Sequence, residues 1–140
     1  MEENDVRRAE QLELLNQALQ QQRRSVRCFE LMLAAANKRE DKRMLSAMQR
    51  EDRRHFYLLE GIYEEIAGHA YRPPRLAVAM PRQYVPMLQV MIKNKLDTVS
   101  FYEKLDEALD CSKQRELLDI VISDQKEQAR ILAEIYNNSV

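Results

Sequence analysis

Apolar residues recur along this chain at helical spacing. From about Asp5 to Asn37, Leu12, Leu15, Leu19, Val26, Phe29, Leu33 and Ala36 step by three, four or seven residues, with no glycine or proline between them. That spacing gathers side chains on one helix face turned to a core. Asn37 to Asp41 is polar and predicts a stop and restart. Beyond it Met44, Leu45, Met48, His55, Leu58, Leu59, Ile62 and Ile66 carry a second stripe. Gly68 follows, where a left-handed cap needs no Cβ. Pro73, Pro74 and Pro81 fall within residues 69–82 and predict a long crossover, with Pro86 just inside the next helix. A third helix is expected from about Gln83 to Asp110 through Leu88, Ile92, Leu96, Val99, Tyr102 and Leu105. A fourth is expected from Ser112 to near Asn137 through Leu117, Val121, Ile131 and Ile135. The pattern therefore predicts one all-α domain over residues 1–140. Helical hairpins at 5–68 and 83–138 are joined by the crossover at 69–82.

The two hairpins resemble each other in sequence. An offset of 73 residues superposes, without a gap, Val26 on Val99, Glu30 on Glu103, Ala35 on Ala108, Leu45 on Leu118, Leu59 on Leu132, Ile62 on Ile135 and Tyr63 on Tyr136. Phe29/Tyr102, Met32/Leu105, Met44/Leu117, Met48/Val121, Glu51/Asp124 and Leu58/Ile131 follow as near matches. A fixed internal period is an architectural signal, and the reading is a duplicated helical hairpin.

Composition narrows the function classes. Hydrophobic residues make up 45% and charged residues 32% of the 140, with two glycines and four prolines, a balance suited to long helices. The net charge of −1 supplies no global field toward nucleic acid or anionic lipid, and neither partner is expected. No apolar run approaches the ~20 residues of a membrane span. The acidic start, Met1 to Asp5, is unlike a signal peptide, so a cytoplasmic protein is expected. Cys28 and Cys111 lie far apart outside any CxxC pair and read as free thiols.

The duplicated hairpins, the aromatics Phe29 and Phe101-Tyr102, the segments Asp52-Arg-Arg-His55 and Leu59-Glu-Gly-Ile-Tyr63, and the Gly68-to-Pro74 crossover together resemble the ferritin-like superfamily, specifically its small rubrerythrin-related members. The resemblance covers nearly all of residues 9–137. It implies a ferritin-like four-helix bundle with its long crossover between helices two and three. In metal-binding members, helices one and three each place a Glu seven residues before the aromatic, while helices two and four each supply Glu-x-x-His. These carboxylates and imidazoles face the bundle axis, where their negative charge makes two divalent ions tolerable. Carried onto this chain, the six positions are Gln22, Lys95, Asp52, His55, Gln125 and Gln128. Asp52 and His55 alone keep ligand chemistry, and an ammonium at Lys95 about 4 Å from a dication costs several kcal/mol at an effective dielectric near 20. The expectation is a degenerate metal site in which Lys95 pairs with Asp52, while Gln22, Gln125, Gln128 and His55 satisfy the remaining donors and acceptors. The alternative is a reduced iron or manganese site around Asp52, His55 and Glu51, with Asp124 or Glu127 turned inward. Glu51 and His55 are also spaced four apart, so one helix face could ligate a single ion.

Other signals are weaker. Glu30 and Glu103 follow the aromatics by about 100° of helix rotation and read as exposed or inter-helix polar residues. Tyr63 and Tyr136 read as core aromatics near the bundle ends. No acid separates Glu65 from Asp97, while Arg72, Arg75, Arg82, Lys93 and Lys95 lie there with Tyr71 and Tyr84. That strip is a candidate anion or protein-partner patch, or simply a solvated crossover. His69 reads as a loop residue near a helix end, and no nucleophile or phosphate-loop signature is present. The reading is a non-catalytic binding, assembly or structural protein with no cofactor expected. A homodimer is the default, with Met32, Met44 and Met48 offering an adaptable interface. The competing reading is an iron- or manganese-dependent oxidoreductase or iron-handling protein.

Overall fold

The computed structural model describes residues 2–140. Four helices follow one another: α1, Glu3–Ala35; α2, Arg39–Ala67; α3, Tyr84–Ala108; and α4, Ser112–Asn137. Among the described residues there are no strands, and no helix is long and apolar enough to cross a membrane.

The short breaks place α1 beside α2 and α3 beside α4, each pair antiparallel. Around the bundle α1 also packs on α3 and α2 on α4, so α1 lies diagonally from α4 and α2 from α3. Side-chain bonds give the directions. Gln11, near the start of α1, donates to the Ala108 carbonyl at the end of α3, and Lys38, before α2, donates to the Asn138 carbonyl beyond α4. Both cross pairs are thus antiparallel, and α2 and α3 run the same way. Residues 68–83 must then travel back along the bundle. At roughly 3.3 Å per residue they can cover the ~37 Å of a 25-residue helix such as α3. Gly68 begins the return at φ 78°, in the left-handed region. Arg23 holds the crossover by donating to the Pro74 carbonyl, and Tyr71 turns inward against Phe56 and Tyr63.

The core comes in two parts. Leu15, Leu19, Leu59, Ile62, Tyr102, Leu105, Leu118 and Val121 fill one end; Phe29, Met32, Leu45, Met48, Leu88, Met91, Leu132 and Ile135 fill the other. A buried polar layer lies between them.

Two expectations are corrected. Leu96, expected in the helix-three stripe, is 56% exposed, because Lys95 takes the inward position and its neighbour is rotated by about 100°. Met32 and Met48 are buried and Met44 is packed against the same cluster, so these methionines serve the core and leave no sulfur-rich face for a second copy. Burial of their apolar surface against Leu45 and Leu88 outweighs any use at the surface.

Candidate functional site

The layer is assembled from all four helices. Gln22 and Ser25 come from α1, Asp52 and His55 from α2, Lys95 from α3, and Gln125 and Gln128 from α4. The six positions Gln22, Asp52, His55, Lys95, Gln125 and Gln128 are each at most 2% exposed. Helical periodicity brings them together: residues three or four apart share a face.

Asp52 is the hub. Its Oδ2 accepts from Lys95 Nζ at 2.7 Å and from the Ser25 hydroxyl, while its Oδ1 accepts from Gln125 Nε2 at 2.8 Å and Gln128 Nε2 at 3.1 Å. Four donors occupy about four lone-pair sites. Burial alone would raise the Asp52 pKa. The Lys95 charge, together with hydrogen bonds from Lys95, Ser25 and Gln125, outweighs it and holds the carboxylate below its ordinary value. Burial pulls the Lys95 ammonium below its own ordinary value, against the attraction of Asp52. Lys95 also donates to Gln125 Oε1 at 2.9 Å and lies 5.2 Å from the Phe29 ring centroid, so the ring face meets the rest of the ammonium.

Gln125 has its orientation forced. Lys95 can only donate and ionised Asp52 can only accept, so Oε1 faces the first and Nε2 the second. The amide nitrogen then also donates to His55 Nδ1 at 3.0 Å, which leaves the imidazole proton on Nε2. That nitrogen points away from the axis and meets Asp124 Oδ2 at 2.9 Å. At the 73-residue offset the arrangement is mirrored: Gln128, which the offset pairs with His55, donates from Nε2 to Oε1 of Glu51, which it pairs with Asp124, at 2.8 Å.

Several expectations need correction. Gln22 is buried but stands outside the Lys95–Asp52 network: its Oε1 accepts from the Tyr102 hydroxyl at 2.7 Å, and its amide nitrogen has no partner. The α1–α3 contact keeps Gln22 on Tyr102, which itself is locked by burial. Asp52 and His55 do not form a ligand pair, because every Asp52 lone pair is taken and His55 turns its Nε2 to Asp124. Glu127 does not turn inward; it is exposed and paired with Arg130 at 2.6 Å. Among the described residues the one group with metal-ligand chemistry is Glu51, His55 and Asp124, whose ligand atoms lie within 4.8 Å of one another. Arg72, Arg75 and Arg82 are exposed, but the aromatics expected beside them are not: Tyr71 is buried, and Tyr84 donates to Asp41 at 3.0 Å. Lys95 leaves the strip for the core, and Lys93 pairs with Asp97. Ser25 and the Phe29 face went unforeseen; Ser25, three residues after Gln22, carried the only signal, a hydroxyl one turn along the inward face.

The two-ion arrangement does not fit these residues. An ammonium fills one ligand position, three carboxamides fill others, and the one axial carboxylate is fully hydrogen-bonded.

Solved structures place the fold. A ferritin-like, diiron-carboxylate protein from Bacillus anthracis superposes with a TM-score of 0.81 at 19% identity, covering 97% of this chain and 99% of that one. The fold is ferritin-like. A hypothetical protein from Pyrococcus furiosus shares the ferritin-like arrangement at a TM-score of 0.79 and 16% identity, over 91% of this chain and 88% of that one. CopM in a silver-bound form is similar at 0.77 and 16%, over 91% and 96%. No family model and no curated protein matches the sequence. At these identities the likeness concerns the backbone, and the ferritin-like axis of this chain carries its own side chains.

Proposed function

We propose that this chain is a ferritin-like bundle in which a fixed ammonium–carboxylate pair replaces the di-metal centre, and that it works as a non-catalytic binding or assembly protein. The observation that carries the reading is Lys95 Nζ at 2.7 Å from Asp52 Oδ2, both buried, at axial positions where metal-binding relatives of this fold keep carboxylates and ions. One positive and one negative charge balance without an ion, and the hydrogen bonds around Asp52 leave it no lone pair for one. The diiron-carboxylate neighbour shares the backbone, while at four of the six positions where the ferritin-like resemblance expects ligands this chain has Gln22, Lys95, Gln125 and Gln128. Self-association belongs to the same reading, through exposed apolar residues such as Tyr57, Leu96 and Ile120 in place of the buried methionines.

The test is ferrous iron added to the protein in air. The expected result is iron oxidation no faster than in buffer and no development of the visible absorption of a bound di-iron species. Two irons bound per chain with oxidation above the buffer rate would overturn the reading.

A further inference from the structure

The crossover leaves a cleft of about 290 Å³ between itself and the outer seam of α1 and α2. Its apolar lining comes from Val26, Phe56 and Tyr57 on the helices and from Leu76 on the crossover. Two of these are held in place. The Phe56 ring meets buried Tyr71 edge to face, with centroids 6.3 Å apart, and Arg23 donates to the Pro74 carbonyl at 2.7 Å, two residues before Leu76. Tyr57 is 67% exposed and keeps its ring open to solvent.

Charge at this cleft is one-sided. Arg23, Arg27 and Arg53 line it against a single carboxylate, Glu30; Glu60, farther along α2, is outside the lining. Arg27 pairs with Glu30 at 2.7 Å, which leaves the other two cations uncompensated. Arg23 donates to the uncharged Pro74 carbonyl, and among the described residues Arg53 has no ion pair and no side-chain hydrogen bond. The helix register sets these two opposite each other. Ser25 bonds Asp52 and Gln49 bonds the Val26 carbonyl, so in the antiparallel pair Arg23 and Arg53 share one level. Each directly follows an axial residue, Gln22 or Asp52, and is turned about 100° from it, toward the outer seam.

We propose that this cleft binds a small organic anion, an aromatic carboxylate of one or two rings, with its ring against Val26, Phe56 and Leu76 and its carboxylate between Arg23 and Arg53. A planar guanidinium matches a carboxylate through two parallel hydrogen bonds, and two such groups flank one level of the seam. Size favours a small ligand over a polypeptide. On α1 the lining runs only from Arg23 to Glu30, about 10 Å, which accommodates two fused rings. Inorganic phosphate would leave the apolar lining wet, whereas a ring removes it from water. Glu30 stands two turns along α1 from Arg23, so the anion keeps to the arginine end. A bound ring bridges the crossover to the first hairpin and stabilises the fold by mass action. No axial residue takes part, so this site stands or falls separately from the reading above.

Titrating 2-naphthoate and its uncharged isostere 2-naphthamide into the full chain by calorimetry tests it. The expected result is one naphthoate per chain and a rise in the unfolding midpoint. The amide binds at least about tenfold more weakly, since hydrogen bonds to a charged acceptor are the stronger kind. Arg53→Gln weakens naphthoate by about tenfold and leaves the amide unchanged, which separates loss of the charge from any loss of fold. Leu76→Ser weakens both ligands, and Arg75→Gln, exposed on the crossover outside the lining, weakens neither. Proton magnetisation transfer from the naphthyl ring to the Leu76 methyls locates the ligand in the wild type. Absence of a one-to-one complex, equal affinity for naphthoate and the amide, wild-type naphthoate affinity in Arg53→Gln, or a ring located away from Leu76 would each overturn the proposal.

Discussion

Gln125 Nε2 lies 3.0 Å from His55 Nδ1, in an orientation where the amide can only donate. That single contact couples the interior of the bundle to its surface. Lys95 and Asp52 orient the amide, the amide selects the imidazole tautomer, and the tautomer aims an N–H at Asp124. The buried ion pair therefore decides what the α2–α4 seam presents to solvent.

Removing one member of the pair should cost more than removing both. Lys95→Met leaves the Asp52 carboxylate buried without its counter-charge, and the expected loss is about 3–5 kcal/mol. Lys95→Met with Asp52→Asn recovers most of it, because the carboxamide introduced in place of the carboxylate can still bond Ser25 and the two glutamines. Denaturant unfolding of the two variants beside the wild type measures both.

Acid should reach the same pair. The Asp52 pKa is lowered from its ordinary value of 3.8, so the unfolded chain binds this proton more readily than the folded one. The stability it contributes is fully present above about pH 4 and is lost as pH falls through the lower, folded value. In Asp52→Asn that part of the acid dependence is absent. Unfolding midpoints between about pH 5 and pH 2 show the difference as a flatter profile for the variant.

The two thiols should differ in reactivity. Cys111 is exposed just before α4, whereas Cys28 is buried and its thiol is pushed up by burial, against the nearby charges of Arg24 and Lys95. A thiol reagent at neutral pH is expected to label one cysteine quickly and the second only after unfolding. Cys111→Ser removes the fast phase.

Gly68 should resist substitution although a Cβ there meets nothing within 4 Å. Its φ of 78° is the obstacle, and Gly68→Ala is expected to cost about 1–2 kcal/mol in thermal or denaturant unfolding. Gly61, inside α2 with equally open space, provides the contrast: Gly61→Ala is expected to stabilise by up to about 1 kcal/mol.

The sequence by itself determined the four helices, their loop order and the ferritin-like arrangement, because these follow from local periodicity and from the placement of glycine and proline. The 73-residue offset also related Asp52 to Gln125 and Glu51 to Asp124 before any contact was known. Tertiary structure decided everything that depends on which way a side chain turns once helices pack. At Lys95 and Leu96 that was a matter of about 100° of helix rotation, and packing against Phe29 and Asp52 settled it in favour of the charged residue. Gln22 looked in sequence like a member of the Asp52 network, yet the α1–α3 contact gives it to Tyr102. Met32 and Met48 looked equally suited to an interface or a core, since a thioether serves both, and only the depth of the helix face distinguishes them. The seam group of Glu51, His55 and Asp124 needed α2 and α4 side by side; periodicity places Glu51 and His55 on one face, while Asp124 comes from a helix about 70 residues away, where no local rule reaches.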